Sequence, residues 1–430
     1  MSIPERLPGT LLSLGDYYGS LAAARSLGSL GAPVFFADHR SLTAGGFSKY
    51  VVKRVAAPSP LDFKSYGDWL ESFGKSHPGL FLYPTSDDMA YIISFRAAAL
   101  SQTFALYQPS LNAIMNLLDK SRLAVKAKEV GLKMPETFSV NSIQDILDQI
   151  QDAPGPFLVK PKSQIGLLTK GKGIFCPTRA EVSAALSLFL ERVTFSDQIL
   201  NYDPSLNLPL LQAYHQSAVD GMLSIAGFVS RDHNHAVFLG SEKIFQRPRR
   251  LGVGIGFSAR SVPTEISDRL LKLCESVGYF GVFEAEFVQD EATGDFLLVD
   301  FNPRYYGQMA FEIARGVDLP RLAYFGATQN QVAFEKEVAK AKLAVTRPEA
   351  TSSKYALGWV LSLMIKCQKL GGKVPRVEYR DWLHWLEDSR IPMYDAVSSK
   401  EDKWPKRIDQ FLFWKHALRH PRDFYRKFFT

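Results

Sequence analysis

The chain has 430 residues, of which 46% are hydrophobic and 22% charged, and its formal net charge is +7. These values exclude a largely disordered or fibrous protein, and the length predicts two to four structural units. Three cysteines without paired spacing exclude a disulfide framework or a cysteine zinc site. The first residues carry no secretory signal pattern, so we expect a cytoplasmic protein.

The chain opens with a strand, a helix and a second strand, at Leu11–Gly15, Ser20–Leu30 and Pro33–Asp38. This βαβ order invites comparison with dinucleotide-binding proteins. However, two bulky tyrosines stand in Gly15–Gly19, where a glycine-rich turn would let the backbone approach a pyrophosphate. The pattern therefore predicts a doubly wound α/β scaffold without a nicotinamide cofactor.

A buried strand at Leu80–Pro84 is followed by the polar residues 85–88, which begin a helix through Leu100. We predict that Asp87 and Asp88 are capping residues of that helix. The alternative is that they face a substrate, because ligands of open α/β sheets bind at the carboxyl ends of the strands.

A lysine on a strand precedes a glycine-bearing turn in the next part of the chain. Lys160 lies in the strand Phe157–Pro161, and the turn Ser163–Gly173 contains Gly166, Gly171 and Gly173. A fixed positive charge beside backbone N–H groups suits a triphosphate. A solvated lysine at a strand end is the alternative.

A basic run, Lys243, Arg247, Arg249 and Arg250, precedes the glycine-rich stretch Gly252–Gly256. We predict a loop here that holds anionic substrate groups, with a solvated basic turn as the alternative.

The segments Phe283–Val288 and Phe296–Arg304 read as two antiparallel strands joined by a polar turn that ends near Gly294. Because side chains alternate along a strand, Glu284 and Glu286 share one face of the first strand, and Asp300 and Asn302 share one face of the second. Carboxylates gathered on a half-buried sheet repel one another unless a cation neutralises them, and oxygen ligands suit magnesium. A solvated hairpin face is the alternative.

Taken in chain order, these segments resemble the ATP-grasp superfamily, and most closely its carboxylate–amine ligases related to carbamoyl phosphate synthetase and D-aspartate ligase. The resemblance covers about residues 9–330. It rests on five segments: Asp119-Lys120, Leu158–Pro161 with its glycine turn, Gln212-Ala213-Tyr214, Glu286-Phe287 and Asp300–Arg304.

The resemblance implies ATP and Mg²⁺ as cofactors and assigns roles to individual positions. The implied roles are ATP phosphate contacts for Lys120 and Lys160, adenine contacts for Gln212, Ala213 and Tyr214, ribose contact for Asp220, magnesium binding for Glu286, Asp300 and Asn302, and catalysis for Arg304 and Lys243. Ala213 and Asp300 depart from the glutamates common in the family, which leaves nucleotide preference open.

The implied activity is an ATP-dependent ligase that phosphorylates a small-molecule carboxylate and joins it to an amine, such as an amino acid, peptide or secondary metabolite. The alternatives are an ATP-grasp carboxylase or phosphotransferase and a non-catalytic nucleotide-binding module. We expect small-molecule substrates, no nucleic-acid partner and a homodimer as the default assembly.

The implied fold is mixed, α/β and α+β, with three parts. We predict a doubly wound pre-ATP-grasp domain at residues 1–108, an ATP-grasp domain at 109–330 with subdomains 109–177 and 178–330, and a helical C-terminal appendage at 331–430. Residues 400–430 are rich in basic and aromatic residues. We expect them to form a helix that packs aromatics on the protein's own core, with contact to an anionic membrane surface as the alternative.

Overall fold

The computed structural model of the chain describes residues 7–429 except 140–142, 151–152, 154, 170–172, 220, 249–251 and 373. Asp220 and Gly171 therefore lie outside the described residues, as do Arg249 and Arg250. In the described part, no helix combines the length and the apolar character needed to cross a bilayer.

The N-terminal part is a five-stranded parallel sheet with strand order β3-β2-β1-β4-β5, which confirms the predicted doubly wound scaffold. Its central strands are buried on both faces, as expected for a parallel sheet covered by helices. The strands are β1 (Thr10–Ser13), β2 (Val34–Asp38), β3 (Val51–Ala56), β4 (Leu80–Leu82) and β5 (Phe104–Leu106). The helices are α1 (Tyr18–Leu30), α2 (Phe63–Ser76), α3 (Asp87–Phe95), α4 (Ala97–Leu100), α5 (Leu111–Leu118) and α6 (Lys120–Glu129).

The N-terminus of α3 corrects one prediction. Ser86 is the capping residue, because its side chain accepts a hydrogen bond from the backbone N–H of Met89. Asp87 and Asp88 lie in the first turn, and their side chains contact other parts of the chain. The serine was available for capping, which left both carboxylates free for tertiary contacts.

A four-stranded antiparallel sheet, with order β6-β9-β7-β8, follows. It combines strands from both sides of the predicted division at residue 177. The strands are β6 (Thr137–Ser139), β7 (Phe157–Pro161), β8 (Ile174–Cys176) and β9 (Pro209–Ala213), and the helices are α7 (Ile143–Gln149), α8 (Val182–Arg192) and α9 (Asp197–Tyr202).

The third sheet has seven strands in the order β14-β13-β10-β11-β12-β15-β16, all antiparallel except for the last pair. The strands are β10 (Met222–Val229), β11 (Ala236–Arg247), β12 (Val253–Arg260), β13 (Gly281–Gln289), β14 (Phe296–Asn302), β15 (Lys354–Ala356) and β16 (Met393–Asp395). The helices before the C-terminal segment are α10 (Thr264–Val277), α11 (Met309–Ala314), α12 (Leu319–Ala327) and α13 (Gln331–Ala344). Five short 3₁₀ helices occupy Gly45–Phe47, Arg179–Glu181, Pro204–Asn207, Gln216–Ala218 and Pro348–Ala350.

The glycine-rich stretch Gly252–Gly256 was predicted to be a loop, and this prediction was wrong. From Val253 onward it is part of β12, paired with β11. A Cβ atom at Gly254 would lie 2.3 Å from the Phe257 ring, and one at Gly256 would lie 2.7 Å from the Phe245 ring. The glycines therefore make room for aromatic packing on a strand, rather than giving mobility to a loop.

The C-terminal segment, from Lys354 onward, adds two strands to the large sheet and, in its described part, four helices beside it. The helices are α14 (Gly358–Gly371), α15 (Arg376–Glu387), α16 (Trp404–Arg419) and α17 (Pro421–Phe428). An apolar core joins these helices to Leu21 of α1 and to three residues of the large sheet, Phe245, Ile255 and Phe257. The segment is thus packed on both the N-terminal part and the large sheet.

A fully buried ion pair joins α11 to the large sheet. The guanidinium of Arg315 donates to Glu312 at 2.8 Å and to the carbonyls of Gly240 and Ala350 at 2.9 and 3.0 Å. Glu312 also accepts a hydrogen bond from the Tyr306 hydroxyl at 2.7 Å. Among the described residues Arg315 Nε has no hydrogen-bond partner, but both terminal nitrogens of the guanidinium and the Glu312 carboxylate do, which makes burial of the pair tolerable.

We expect Arg315→Ala to lower the free energy of unfolding by about 3–5 kcal/mol, because it leaves Glu312 buried without its partner. Urea denaturation followed by circular dichroism measures this change. The control is Arg390→Ala, which removes an exposed pair with Asp388 and should leave the transition nearly unchanged. Equal effects of the two substitutions would contradict the prediction.

Candidate active site

Four polar side chains line one face of the β13–β14 hairpin, as the sequence predicts. In the register of the pair, Glu284 is opposite Asn302 and Glu286 is opposite Asp300. The register then shifts, since Phe287 is opposite Leu298, so Val299 is an extra residue beside the acidic face. This bulge increases the local twist of the strand next to Asp300.

Two buried lysines pair with the carboxylates of this face. Lys120 Nζ lies 2.8 Å from Asp300 Oδ1, and Lys243 Nζ lies 3.2 Å from Glu286 Oε1. Burial alone would raise the pKa of Asp300, but the charge and hydrogen bond of Lys120, together with the charges of Lys160 and Arg304, lower it overall. For Lys120, burial opposes the effect of Asp300, and its pKa is raised. Both groups are therefore charged at neutral pH.

Lys160 is held differently. Its Nζ donates to the Gln212 side chain at 2.7 Å, and the Gln212 amide donates in turn to Thr137 at 2.9 Å. Burial, together with the positive charge of Lys120, lowers the pKa of Lys160 to about 7. Lys160 is thus a buried amine whose charge responds to pH near neutrality, and a bound anion would favour its protonated form.

Arg304 follows β14 and is fixed on several sides. Its guanidinium pairs with Asp87 of α3 and donates to the Tyr17 hydroxyl at 2.8 Å and to Asn302 Oδ1 at 2.9 Å. Burial would lower the pKa of Arg304, but the nearby Asp87 carboxylate raises it. The arginine is therefore a permanent cation clamped between the parallel sheet and the acidic hairpin.

Glu284 lies deeper than the other acids. It accepts hydrogen bonds from Ser224 at 2.6 Å and from Gln308, and it accepts one from Asn302 Nδ2 at 3.3 Å. Burial, and then the negative charge of Glu286, raise the pKa of Glu284. Its contacts orient Asn302, whose other amide atom accepts from Arg304.

Two cavities meet at this charged centre. The first is a cleft between the four-stranded and seven-stranded sheets, with apolar walls formed by Leu158, Met222 and Val288. The second has a volume of about 400 Å³ and extends past Arg304 toward the C-terminal segment. Residues lining both cavities are Gln164, Lys243, Glu286 and Asp300. A ligand in one cavity can therefore reach a ligand in the other at the acidic face.

The predicted adenine segment lines the first cavity through Gln212, Ala213 and Tyr214. The Gln212 side chain is engaged by Lys160, and the N–H groups of Ala213 and Tyr214 donate to the carbonyls of Glu136 and Pro156. Gly166 has a positive φ of 66°, and its N–H donates to Asp88 at 2.7 Å, which ties the start of the glycine turn to α3.

The predicted magnesium ligands are two carboxylates and one amide, Glu286, Asp300 and Asn302. They share the hairpin face, and their oxygen donors suit a hard divalent cation. No cluster of three or more His, Cys, Asp and Glu side chains with metal-binding geometry occurs among the described residues. Three oxygen donors are fewer than an octahedral Mg²⁺ site needs, so an ion here would take its other ligands from water or from a bound phosphate.

Several residues of the site were not singled out from the sequence. Tyr17 accepts a hydrogen bond from Arg304, and Gln308 donates one to Glu284. Both residues lie outside the hairpin strands. Tyr18 lines the second cavity together with Tyr355, beside Arg247 of the predicted basic run. Only the tertiary fold brings these positions together, so no spacing in the sequence could have identified them.

No protein-family model matches the sequence, and a search of curated proteins found no match. Solved structures do match the fold. An N5-carboxyaminoimidazole synthetase from Staphylococcus aureus has a TM-score of 0.55 and 15% identity, over 75% of this chain and 78% of that one. A biotin carboxylase complex with β,γ-ATP from Campylobacter jejuni has a TM-score of 0.58 and 14% identity, over 74% and 70%.

An L-amino acid ligase from Bacillus licheniformis has a TM-score of 0.56 and 14% identity, and the match covers 77% of each chain. Because the identities are only 14–15%, the three matches show a shared fold alone. The chain therefore has the predicted ATP-grasp fold.

Proposed function

We propose that the protein is an ATP-dependent ligase that activates a carboxylate by phosphorylation and joins it to an amine. The observation that carries the proposal is the charged centre where the two cavities meet, with Lys120, Lys160 and Lys243 beside Glu286 and Asp300. A nucleotide in the cleft and an acceptor in the second cavity would meet at that centre. The similar fold of an ATP-complexed biotin carboxylase and of an L-amino acid ligase supports the proposal.

In this proposal the nucleotide base lies between the apolar walls of the cleft, near Gln212, Ala213 and Tyr214. Its phosphates extend toward Lys120 and Lys160, whose charges offset theirs. Glu286, Asp300 and Asn302 would hold Mg²⁺. When bound there, the metal would supply charge neutralisation for the phosphates.

The chain's own residues then provide positioning and electrostatic stabilisation. A carboxylate is a poor electrophile, so transfer of a phosphoryl group to it creates a leaving group that an amine displaces, with release of ADP and phosphate. Arg304 is a fixed cation at the acceptor side of the centre, and Lys243 lines both cavities. Both groups can stabilise negative charge that develops on the acyl and phosphoryl oxygens.

We expect Asp300→Asn and Asn302→Ala each to reduce magnesium-dependent ATP turnover by at least about 100-fold, because groups that stabilise developing charge contribute on this scale. ADP release is measured in pools of carboxylates and amines, with circular dichroism to verify folding. Glu275→Gln, an exposed change on α10, is the matched control. Undiminished turnover in both site variants would contradict the magnesium assignment.

The same screen separates ligation from the other outcomes. ADP release that requires both a carboxylate and an amine supports the ligase. Release that requires bicarbonate would favour a carboxylase, and nucleotide binding without turnover in any pool would favour a non-catalytic module. Mass spectrometry of the products identifies the bond that forms.

The pKa of Lys160, about 7, leads to a prediction about nucleotide affinity. Phosphates favour the protonated lysine, so affinity should be highest below pH 7 and fall as the pH rises above 7, by at most about tenfold per pH unit. The dissociation constant of ADP, without metal, is measured by calorimetry from pH 6 to 8.5. In Lys160→Met the contribution of this lysine to the pH dependence is lost, so the variant should have a different slope. Equal slopes in both proteins would contradict the role of Lys160.

The lining of the second cavity suggests which chemical groups the acceptor substrate carries. Its outer walls are apolar and aromatic, with Ile255 and Phe257 from β12 and Tyr355 and Leu357 from the C-terminal segment. Arg247 is the cation of this outer region. Among the described residues its guanidinium has no hydrogen bond or ion pair, and it lies 5.3 Å from the Phe428 ring centroid. We infer that Arg247 binds a carboxylate on an apolar substrate, away from the reacting group.

For a substrate identified in the screen that carries a second carboxylate, we expect Arg247→Met to raise KM by about 10- to 100-fold with a smaller change in kcat, because a charge-assisted hydrogen bond contributes about 1.5–3 kcal/mol. Steady-state kinetics with that substrate and its primary amide give the comparison. The amide should be a poor substrate for wild type and variant alike. A KM for the carboxylate that is unchanged in the variant would contradict this role while leaving the ligase proposal intact.

A further inference from the structure

Helix α16 has an exposed aromatic stripe. Trp404, Phe411, Trp414 and Leu418 have exposed fractions of 57%, 55%, 46% and 82%, and Tyr425 of α17 has 54%. In α16 these residues are separated by seven, three and four positions, a spacing that aligns them along one side of a helix. The prediction that the C-terminal aromatics pack on the protein's own core therefore applies to only some of them.

The opposite side of α16 fixes the helix to the protein. Phe413 packs edge-on against Trp359 of α14, with ring centroids 4.8 Å apart. Asp409 accepts hydrogen bonds from the Tyr18 hydroxyl at 3.1 Å and from Trp359 Nε1 at 3.0 Å. Because both polar and apolar contacts hold this side inward, the aromatic stripe cannot turn inward without breaking them.

The exposed charges of α16 and α17 are of one sign. Between residues 403 and 429 the exposed charged side chains are all basic: Lys403, Arg407, Lys415, Arg419, Arg422 and Arg426. The acidic residues of this range are Asp409, which faces inward, and Asp423, which is paired with Arg426 and Lys427. The outer face of α16 and α17 is therefore both aromatic and cationic.

We propose that this face, the α16–α17 face, binds the surface of a membrane that contains anionic lipids. Tryptophan, phenylalanine and leucine on one side of a helix enter the interfacial region of a bilayer, and flanking lysines and arginines contact the lipid phosphates. A helix of 16 residues is about 24 Å long, which suits a helix lying parallel to the surface. This inference is independent of the ligase proposal.

Two other partners fit the face less well. A second copy of the chain would bring the same cationic face against itself, because a two-fold interface is self-complementary. The six basic residues would then repel one another. A nucleic acid would be bound by the charge, but Leu418, the most exposed member of the stripe, offers nothing for base stacking or hydrogen bonding.

The test is sedimentation of the full chain with vesicles of phosphatidylcholine alone and with about 30% phosphatidylserine. We expect at least about tenfold more protein bound to the anionic vesicles, and binding that falls as salt is raised from 0.05 to about 0.5 M. Tryptophan fluorescence should shift to shorter wavelength on binding. Equal binding to both vesicle types, or to neither, would overturn the proposal.

Two double variants test the face itself. Phe411→Ser with Leu418→Ser removes apolar groups, and Arg419→Glu with Arg422→Glu reverses charge. Each should reduce vesicle binding at least about fivefold. The matched controls are Val332→Ser, an 83% exposed residue on α13, and Lys272→Glu with Lys336→Glu, two exposed lysines on α10 and α13.

Equal losses in the control variants would overturn the assignment to this face. A second contrary result would be a dimer of the wild-type chain in sedimentation equilibrium that becomes a monomer in Phe411→Ser with Leu418→Ser. The stripe would then be a contact between copies. Binding of single-stranded RNA that is tighter than vesicle binding would also overturn the proposal, if the charge-reversal variant alone loses that RNA binding.

Discussion

The site depends on opposite charges brought together by one hairpin. Glu286 and Asp300 are direct neighbours across β13 and β14, and two carboxylates so close would repel each other in a half-buried setting. Lys120, from the start of α6, and Lys243, from β11, neutralise them. Lys243 lies in the same sheet as the hairpin, but Lys120 comes from α6, so neutralisation of Asp300 depends on how α6 packs against the large sheet.

The same electrostatic constraint explains why the base of the site is rigid. Arg304 connects Asp87 of α3 to Asn302 of β14, and Asn302 is held in turn by Glu284. The Arg304–Asp87 ion pair compensates both of its charges within this chain of contacts. Lys160 differs, because its contact is the neutral Gln212 amide and its pKa is lowered to about 7. The part of the site that would meet phosphates is thus the part whose charge can adjust.

The sequence predicted the elements whose evidence is local. The alternation of side chains along β13 and β14 predicted one shared face for four polar residues, Glu284, Glu286, Asp300 and Asn302. The pairing register of the two strands agrees with this prediction. Local evidence failed where packing decides the outcome. Gly254 is in a strand because an aromatic ring fills the space of its missing side chain, which a glycine-rich sequence does not reveal.

The C-terminal segment is the part that sequence analysis explained least, because its role depends on contacts over several hundred residues. Tyr355 and Leu357 line the second cavity beside β12, and Asp409 holds Tyr18 of α1. The segment therefore joins the N-terminal part to the large sheet on one side while α16 presents its aromatic stripe on the other. The outer side of α16 therefore belongs to an element whose inner side contacts Tyr18, a residue that lines the second cavity.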